Sequence, residues 1–340
     1  MRALIAMLLL AATLPAQTPG VVYTRIDIAA EVDSATWVPV ATIQGARAGK
    51  TVAILSGAHG TEYASIIAAQ GVIPRIDPAK LSGTVIVVPL INRASFERMR
   101  VHTNPVDEKS MNGNYPGKAS GTQTERVLDA IARQVIAAAD VVIDLHNGDI
   151  DENLRPYSYW TRTGNPAQDS VALALCEAMG LDHIIVRNLD VTNPASIRSA
   201  SGYSLSLGKV AIVAEAGRWA RTDASDVRAL EDGILGALGQ LGMLPRARPA
   251  SMKITWLGAD ARAQANGDVM WTAIVDRGAN VTAGQVIGYT SDYWGRKIAD
   301  IRSPKSGVVT FIRSVPSAWS GSTLVSIAEV LTKPEPWKKP

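Results

Sequence analysis

Four short apolar runs constrain this chain more than anything else in it. They are Thr51-Val-Ala-Ile-Leu, Thr84-Val-Ile-Val-Val, Val141-Val-Ile-Asp-Leu and Val210-Ala-Ile-Val-Ala. Each is too short to cross a bilayer or to fill a helix, and each is rich in β-branched residues, as strands buried on both faces are. Helical patterns separate them. One follows Glu62 and stops near Val72, before Pro74. The others cover residues 122–139, with Thr122 as a cap, 167–179 and 223–241. Strands alternating with helices predict an α/β fold, a mostly parallel sheet sandwiched by helices. A chain of 340 residues that is 47% hydrophobic has the apolar material for a sizeable core.

The flanking segments read differently. Val21–Ile28 and Trp37–Ile43 are β-rich, and residues 92–121 form a polar stretch scattered with Gly, Pro and Asn. A loop of that length usually carries function. Leu244-Pro-Arg-Ala-Arg-Pro-Ala reads as a linker. From Met252 onward the pattern is short strands with glycine turns and no long helix, which predicts a small C-terminal all-β domain. At the other end, Arg2, the apolar run Leu4–Leu10 and the small residues up to Ala16 have the pattern of an export signal. The expected organisation is a signal peptide over 1–16, a main domain over 17–245 and a β domain over 246–340. The expected location is periplasmic or secreted, with no membrane attachment beyond the signal. Thirty-four basic against 31 acidic residues give a net charge of +3 with no basic cluster, which argues against nucleic-acid binding. Cys176 is the only cysteine, so an internal disulfide and a cysteine-built zinc site are both excluded.

The residues with chemistry fall at the ends of the apolar runs. His59 and Glu62 follow the first, in a break bounded by Gly57 and Gly60. A spacing of three lets an imidazole and a carboxylate point at one spot. His146 ends the third run, and Asp144 shares its side of that strand. A carboxylate so placed orients a metal-bound imidazole. Glu215 ends the fourth. Singly each is an ordinary polar group at a strand terminus. Jointly they gather where open α/β sheets place ligands. Two histidines and a glutamate are a catalytic zinc set with one open position, so His59, Glu62 and His146 are read as ligands of one zinc ion. Glu215 is read as the general base and acid. Arg100 or Arg98, in the long loop, could supply the cation that a developing oxyanion needs.

The chain resembles the succinylglutamate desuccinylase/aspartoacylase family of zinc carboxypeptidase-like hydrolases over most of residues 37–244. Gly57-Ala-His59-Gly-Thr-Glu62 is similar to the family's first zinc motif, Asp144-Leu-His146 to its third ligand, and Val213-Ala-Glu215-Ala-Gly to its catalytic glutamate segment. Arg100, Asp107 and Met111-Asn112-Gly113-Asn114-Tyr115-Pro116-Gly117 align with the loop between them. The resemblance implies a zinc carboxypeptidase-like α/β/α fold, one zinc ion and hydrolysis of an amide bond. Arg100 is then the oxyanion and substrate arginine and Asn112 a substrate contact. Arg98 and His102 are further candidates for substrate binding. Gly113 stands where the family has an arginine that grips a substrate carboxylate. Either another arginine replaces it (Arg98, Arg155, Arg162, Arg187 or Arg198) or the substrate lacks a carboxylate there. The β domain resembles barrel-sandwich modules of biotinyl/lipoyl type, but Lys305 is not in the Met-Lys-Met setting of a carrier lysine. His183 is read as a non-ligand.

The expected function is zinc-dependent deacylation of a small-molecule or peptide amide. Two alternatives stay open: an exported metallocarboxypeptidase acting on short or cell-wall peptides, and a non-catalytic ligand-binding protein on the same fold. The oligomeric state is not encoded in any pattern here.

Overall fold

The structure is a computed structural model and describes residues 18–245, 252–335 and 337. The expected signal peptide lies outside the described residues, as does most of the linker. Among the described residues no helix is long and apolar enough to cross a membrane.

The elements run in chain order as β1 (Gly20–Ile28), β2 (Thr36–Gln44), β3 (Arg47–Leu55), α1 (Tyr63–Val72), β4 (Ser82–Val88), α2 (Arg93–Arg98) and α3 (Gln123–Ile131). Next come β5 (Val141–His146), β6 (Glu152–Leu154), β7 (Tyr157–Arg162), α4 (Pro166–Ala178), β8 (His183–Asn188), α5 (Ala200–Ser206), β9 (Val210–Glu215) and α6 (Ala224–Gln240). All four apolar runs are strands. Because strand side chains alternate, each run feeds two cores. Val52 and Ile54 pack with Ala68, Val72, Leu175 and Ile234 on one face of the sheet. Ala53 and Leu55 pack with Leu128, Ile131 and Leu205 on the other. Thus α1, α4 and α6 cover one face, and α3 and α5 the opposite one.

The fold is a mixed α/β structure rather than one built on a mostly parallel sheet. Parallel pairing holds through β4-β3-β5-β9, and again between β7 and β8. By contrast β1 and β2 join antiparallel at one side, and β7 runs against β9. The reason is the connection. A parallel neighbour needs a crossover of a dozen or more residues, usually a helix. Residues 147–156 hold only the short β6, so the chain enters β7 reversed.

The C-terminal strands are β10 (Thr255–Gln264), β11 (Val269–Ala273), β12 (Asn280–Val281), β13 (Val286–Ser291), β14 (Lys297–Arg302), β15 (Gly307–Arg313), β16 (Ser317–Ala318) and β17 (Thr323–Leu331). They enclose their own core around Trp271, Ile287, Val325 and Ile327. They also extend the large sheet. β10 pairs parallel with β8 over Thr255–Leu257 and then antiparallel with β17, and β15 pairs with β6. A second sheet has the order β14-β13-β11-β16. Lys305 is tied to Ala259 O at 2.9 Å and Glu329 at 3.1 Å, so it is held against the sheet rather than presented at a tip.

Candidate metal centre

The carboxyl ends of β3, β5 and β9 lie side by side, and His146 stands opposite Glu215 in the β5–β9 register. His59 and Glu62 occupy the break between β3 and α1. Gly57 turns the chain there with φ +66°, a conformation that glycine adopts without a Cβ penalty. Gly60 lets α2 come close: a Cβ at this position would stand 2.1 Å from Phe96 N.

Glu62 is almost fully buried, and its two oxygens face different imidazoles. Oε1 is 2.6 Å from His59 Nδ1 and Oε2 is 2.9 Å from His146 Nδ1. The Asn147 N–H donates to Oε2 at 3.3 Å, while its side-chain oxygen accepts from Ser65 N at 2.9 Å in the first turn of α1. Asn147 therefore locks the glutamate and the helix together. The ligand-capable atoms of His59, Glu62 and His146 all lie within 4.8 Å of one another. Behind His146, Asp144 Oδ1 is buried without a hydrogen-bond partner, 3.4 Å from Nε2.

The electrostatics follow from this packing. Burial works to raise the Glu62 pKa, but the charges of His146 and His59 win and hold it at about 2. Burial works to lower that of His146, but Glu62 and Asp144 hold it well above the ordinary imidazole value. Two carboxylates enclosed with two imidazoles thus favour positive charge at their centre. Two imidazoles and a carboxylate this close fit a tetrahedral divalent ion with a position left open.

The group opens into a cavity of about 610 Å³. Glu215 lines it, partly exposed to it. Burial pushes this carboxyl up to about 8; His146 pulls the other way, and Glu62 and Glu152 add to the rise. Asn112 lines it as well, and its Oδ1 is buried with no partner. His102 also points in. Its ring centroid is 5.7 Å from that of His59, and its Nε2 is 3.2 Å from Asp151 Oδ1. Burial opposes its protonation, but Asp151, Glu152 and Asp149 raise it to about 9, so it is an imidazolium at neutral pH. His102, Asp151 and Glu152 form a second close group, but Arg313 already holds Asp151 at 2.8 Å.

Arg100 and Arg98 are not brought to the cavity. Met99 ends α2 in the left-handed conformation, φ 49°. The turn sends the exposed Arg100 away, where it pairs with Glu108 and reaches Thr103 at 3.2 Å. His102, itself at φ 61°, is turned inward instead. Asp107 is structural, accepting from Thr124 N at 2.9 Å at the start of α3. His183 is buried beside Asp182 at 2.8 Å, outside the cavity. Cys176 is a buried thiol whose pKa burial raises.

Sequence reasoning missed much of the wall. Tyr157 and Tyr159 come from the reversed strand β7, and Arg313 and Trp319 from the C-terminal segment. The alternation Tyr157-Ser-Tyr-Trp was a strand signal, but nothing local tied it to His146.

Comparison with known proteins gives consistent matches. The succinylglutamate desuccinylase/aspartoacylase catalytic domain matches residues 48–241. The N-alpha-acetyl-L-2,4-diaminobutyric acid deacetylase of Halomonas elongata is 26% identical over 332 residues, 95% of each chain. Two solved structures share the fold. The product-bound ectoine utilization protein EutE (DoeB) from Ruegeria pomeroyi has a TM-score of 0.83 and 21% identity, covering 93% of this chain and 98% of its own. A succinylglutamate desuccinylase/aspartoacylase from Rhodobacter sphaeroides has a TM-score of 0.82 and 21% identity, covering 95% and 99%.

Proposed function

The chain belongs to the succinylglutamate desuccinylase/aspartoacylase family, and from that premise we propose that it is a zinc-dependent amide hydrolase that deacylates a small acylated amino acid. The relative named as a deacetylase of acetyldiaminobutyric acid supports that substrate class. His59, Glu62 and His146 would hold a single zinc ion. When bound, zinc supplies a Lewis acid that polarises an amide carbonyl and acidifies water.

The chain's own residues do the rest. Glu215 takes the proton from the attacking water and gives it to the departing amine nitrogen. It lines the cavity opposite His146 in the β5–β9 register, which places it for both halves of that transfer. Asp144 orients the imidazole of His146 from behind. Asn112 lines the cavity and is placed as a substrate contact. The His102 imidazolium provides the positive charge near His59 that Arg100, turned outward, does not. The apolar run and small residues at the amino terminus support export of the chain.

The observation that carries this reading is the Glu62 carboxylate set between two imidazoles, with Glu215 across the strand pair from one of them. Metal analysis of the purified protein, followed by a hydrolysis screen over N-acyl amino acids and short peptides, tests it. The expected result is one zinc per chain and release of the acyl group. Glu215→Gln is expected to keep the metal and lose about 10²- to 10⁴-fold in kcat. A fully active Glu215→Gln protein would refute the mechanism.

A further inference from the structure

We propose that Arg187 holds the free carboxylate of the substrate amino acid and so makes that carboxylate a requirement for turnover. This rests on the deacylase reading above and names the end of the substrate opposite the scissile amide.

The cavity has three arginines, and two already have carboxylates. Arg313 is buried against Asp151 at 2.8 Å, and Arg262 pairs with Asp260 at 3.2 Å. Among the described residues Arg187 has no carboxylate within ion-pair distance and no hydrogen-bond acceptor for its guanidinium. Its one close contact is with a ring: its central carbon lies 3.6 Å from the centroid of Tyr159. Contact with a ring leaves the edge donors of a guanidinium free, and that planar fork matches a carboxylate. Among the described residues Arg187 is the one arginine of this otherwise acidic cavity without a carboxylate partner.

Its position suits the reaction. Tyr157 pairs with Glu215 and Tyr159 with Val213, while Tyr159 pairs on its other side with Ile185. Ile185 and Arg187 share a side of β8, so Glu215, Tyr159 and Arg187 line one continuous floor. Arg187 stands two strands from Glu215 and four residues further along β8 in register, about 16 Å away at the backbone, and its long side chain lies over Tyr159. The other arginines that could have done this are engaged elsewhere. Arg155 pairs with Asp182, Arg162 reaches Asn188 at 3.0 Å and Arg198 reaches Asn114 at 3.5 Å, and none of these, nor Arg98, lines the cavity.

The test compares N-alpha-acetyl-L-2,4-diaminobutyrate with its C-terminal primary amide, using zinc-loaded wild type, Arg187→Gln and Arg187→Lys. The wild type should prefer the free acid. Arg187→Gln should lose roughly 10- to 100-fold in kcat/KM on the acid, mostly through KM, with the amide little changed. Arg187→Lys should recover part of the loss, since it restores charge without the fork. An unchanged acid-to-amide ratio in Arg187→Gln overturns the proposal. Calorimetric binding of the same two compounds to zinc-loaded Glu215→Gln, with and without Arg187→Gln, reads the contact without turnover. Tighter binding of the acid that disappears in the double variant supports it even if hydrolysis of this compound fails. Equal binding of both compounds, or of neither, overturns it.

Discussion

Glu62 serves two imidazoles with one carboxylate, and that arrangement makes individual residues testable. Asp144 backs His146 at 3.4 Å from within the sheet. Asp144→Asn should therefore weaken zinc about 10- to 100-fold in competition with a chelator. Glu215 makes a prediction of the opposite kind, about stability. Its folded pKa of about 8 lies above the reference of 4.5, so the folded state holds the proton more tightly than the unfolded one. The resulting penalty is absent below about pH 4.5, grows as pH rises and is complete above about 8. In metal-free protein, Glu215→Gln should remove that slope. Its Tm should fall by a few degrees less than that of the wild type between about pH 5 and pH 9. Equal slopes in the two thermal scans would contradict this account of the carboxyl.

At the scale of elements, the site depends on how closely α2 approaches the break after β3. Ser95 Oγ accepts from Gly60 N at 2.9 Å and donates to Arg100 O. A methyl group at Gly60 would collide with this backbone. Gly60→Ala should cost of order 1–3 kcal/mol and weaken metal retention together with Tm, since His59 precedes it directly. The cap of α3 is separable from the chemistry. The Thr122 N–H donates to Glu125 Oε2 at 2.9 Å, closing a capping box. Thr122→Ala should cost about 1 kcal/mol in denaturant unfolding and leave kcat unchanged. A loss of activity there would mean that α3 positions the loop carrying Asn112, through Asp107, more tightly than its contacts imply.

At the scale of the whole molecule, the cavity is shared between the sheet ends and the C-terminal strands. Arg313 of β15 reaches Asp151 in the segment between β5 and β7, and β6 adds itself to β15. Removing Arg313 takes away one of the two cationic side chains that face Asp151 and leaves His102, at 3.2 Å, as the other. Arg313→Met should therefore destabilise the chain by about 1–3 kcal/mol and raise KM by loosening the segment that carries Asp151. A further change of Asp151→Asn in the same protein should recover much of the stability. Thermal unfolding of the single and double variants decides this. Equal losses in both would mean that Arg313 contributes packing rather than charge.

The sequence by itself determined the candidate metal centre. His59, Glu62, His146 and Glu215 each end an apolar run or sit within one helical turn of it. Buried strands pair by burial alone, so those ends had to meet. The sequence also determined the capped α3 and the two-faced core, because both are periodic patterns. Only the tertiary structure decided the rest of the cavity. That Arg100 faces out and His102 in depends on two non-glycine residues in the left-handed region, Met99 and His102, which no local propensity predicts. That Tyr159 and Arg187 form the far floor depends on β7 entering reversed, a consequence of connection length rather than side-chain pattern. The physical reason is the range of the forces involved. Burial and hydrogen-bond periodicity act between neighbours in the chain and leave a mark in it, whereas the pairing of lone charges across a cavity is fixed only when the whole sheet is assembled.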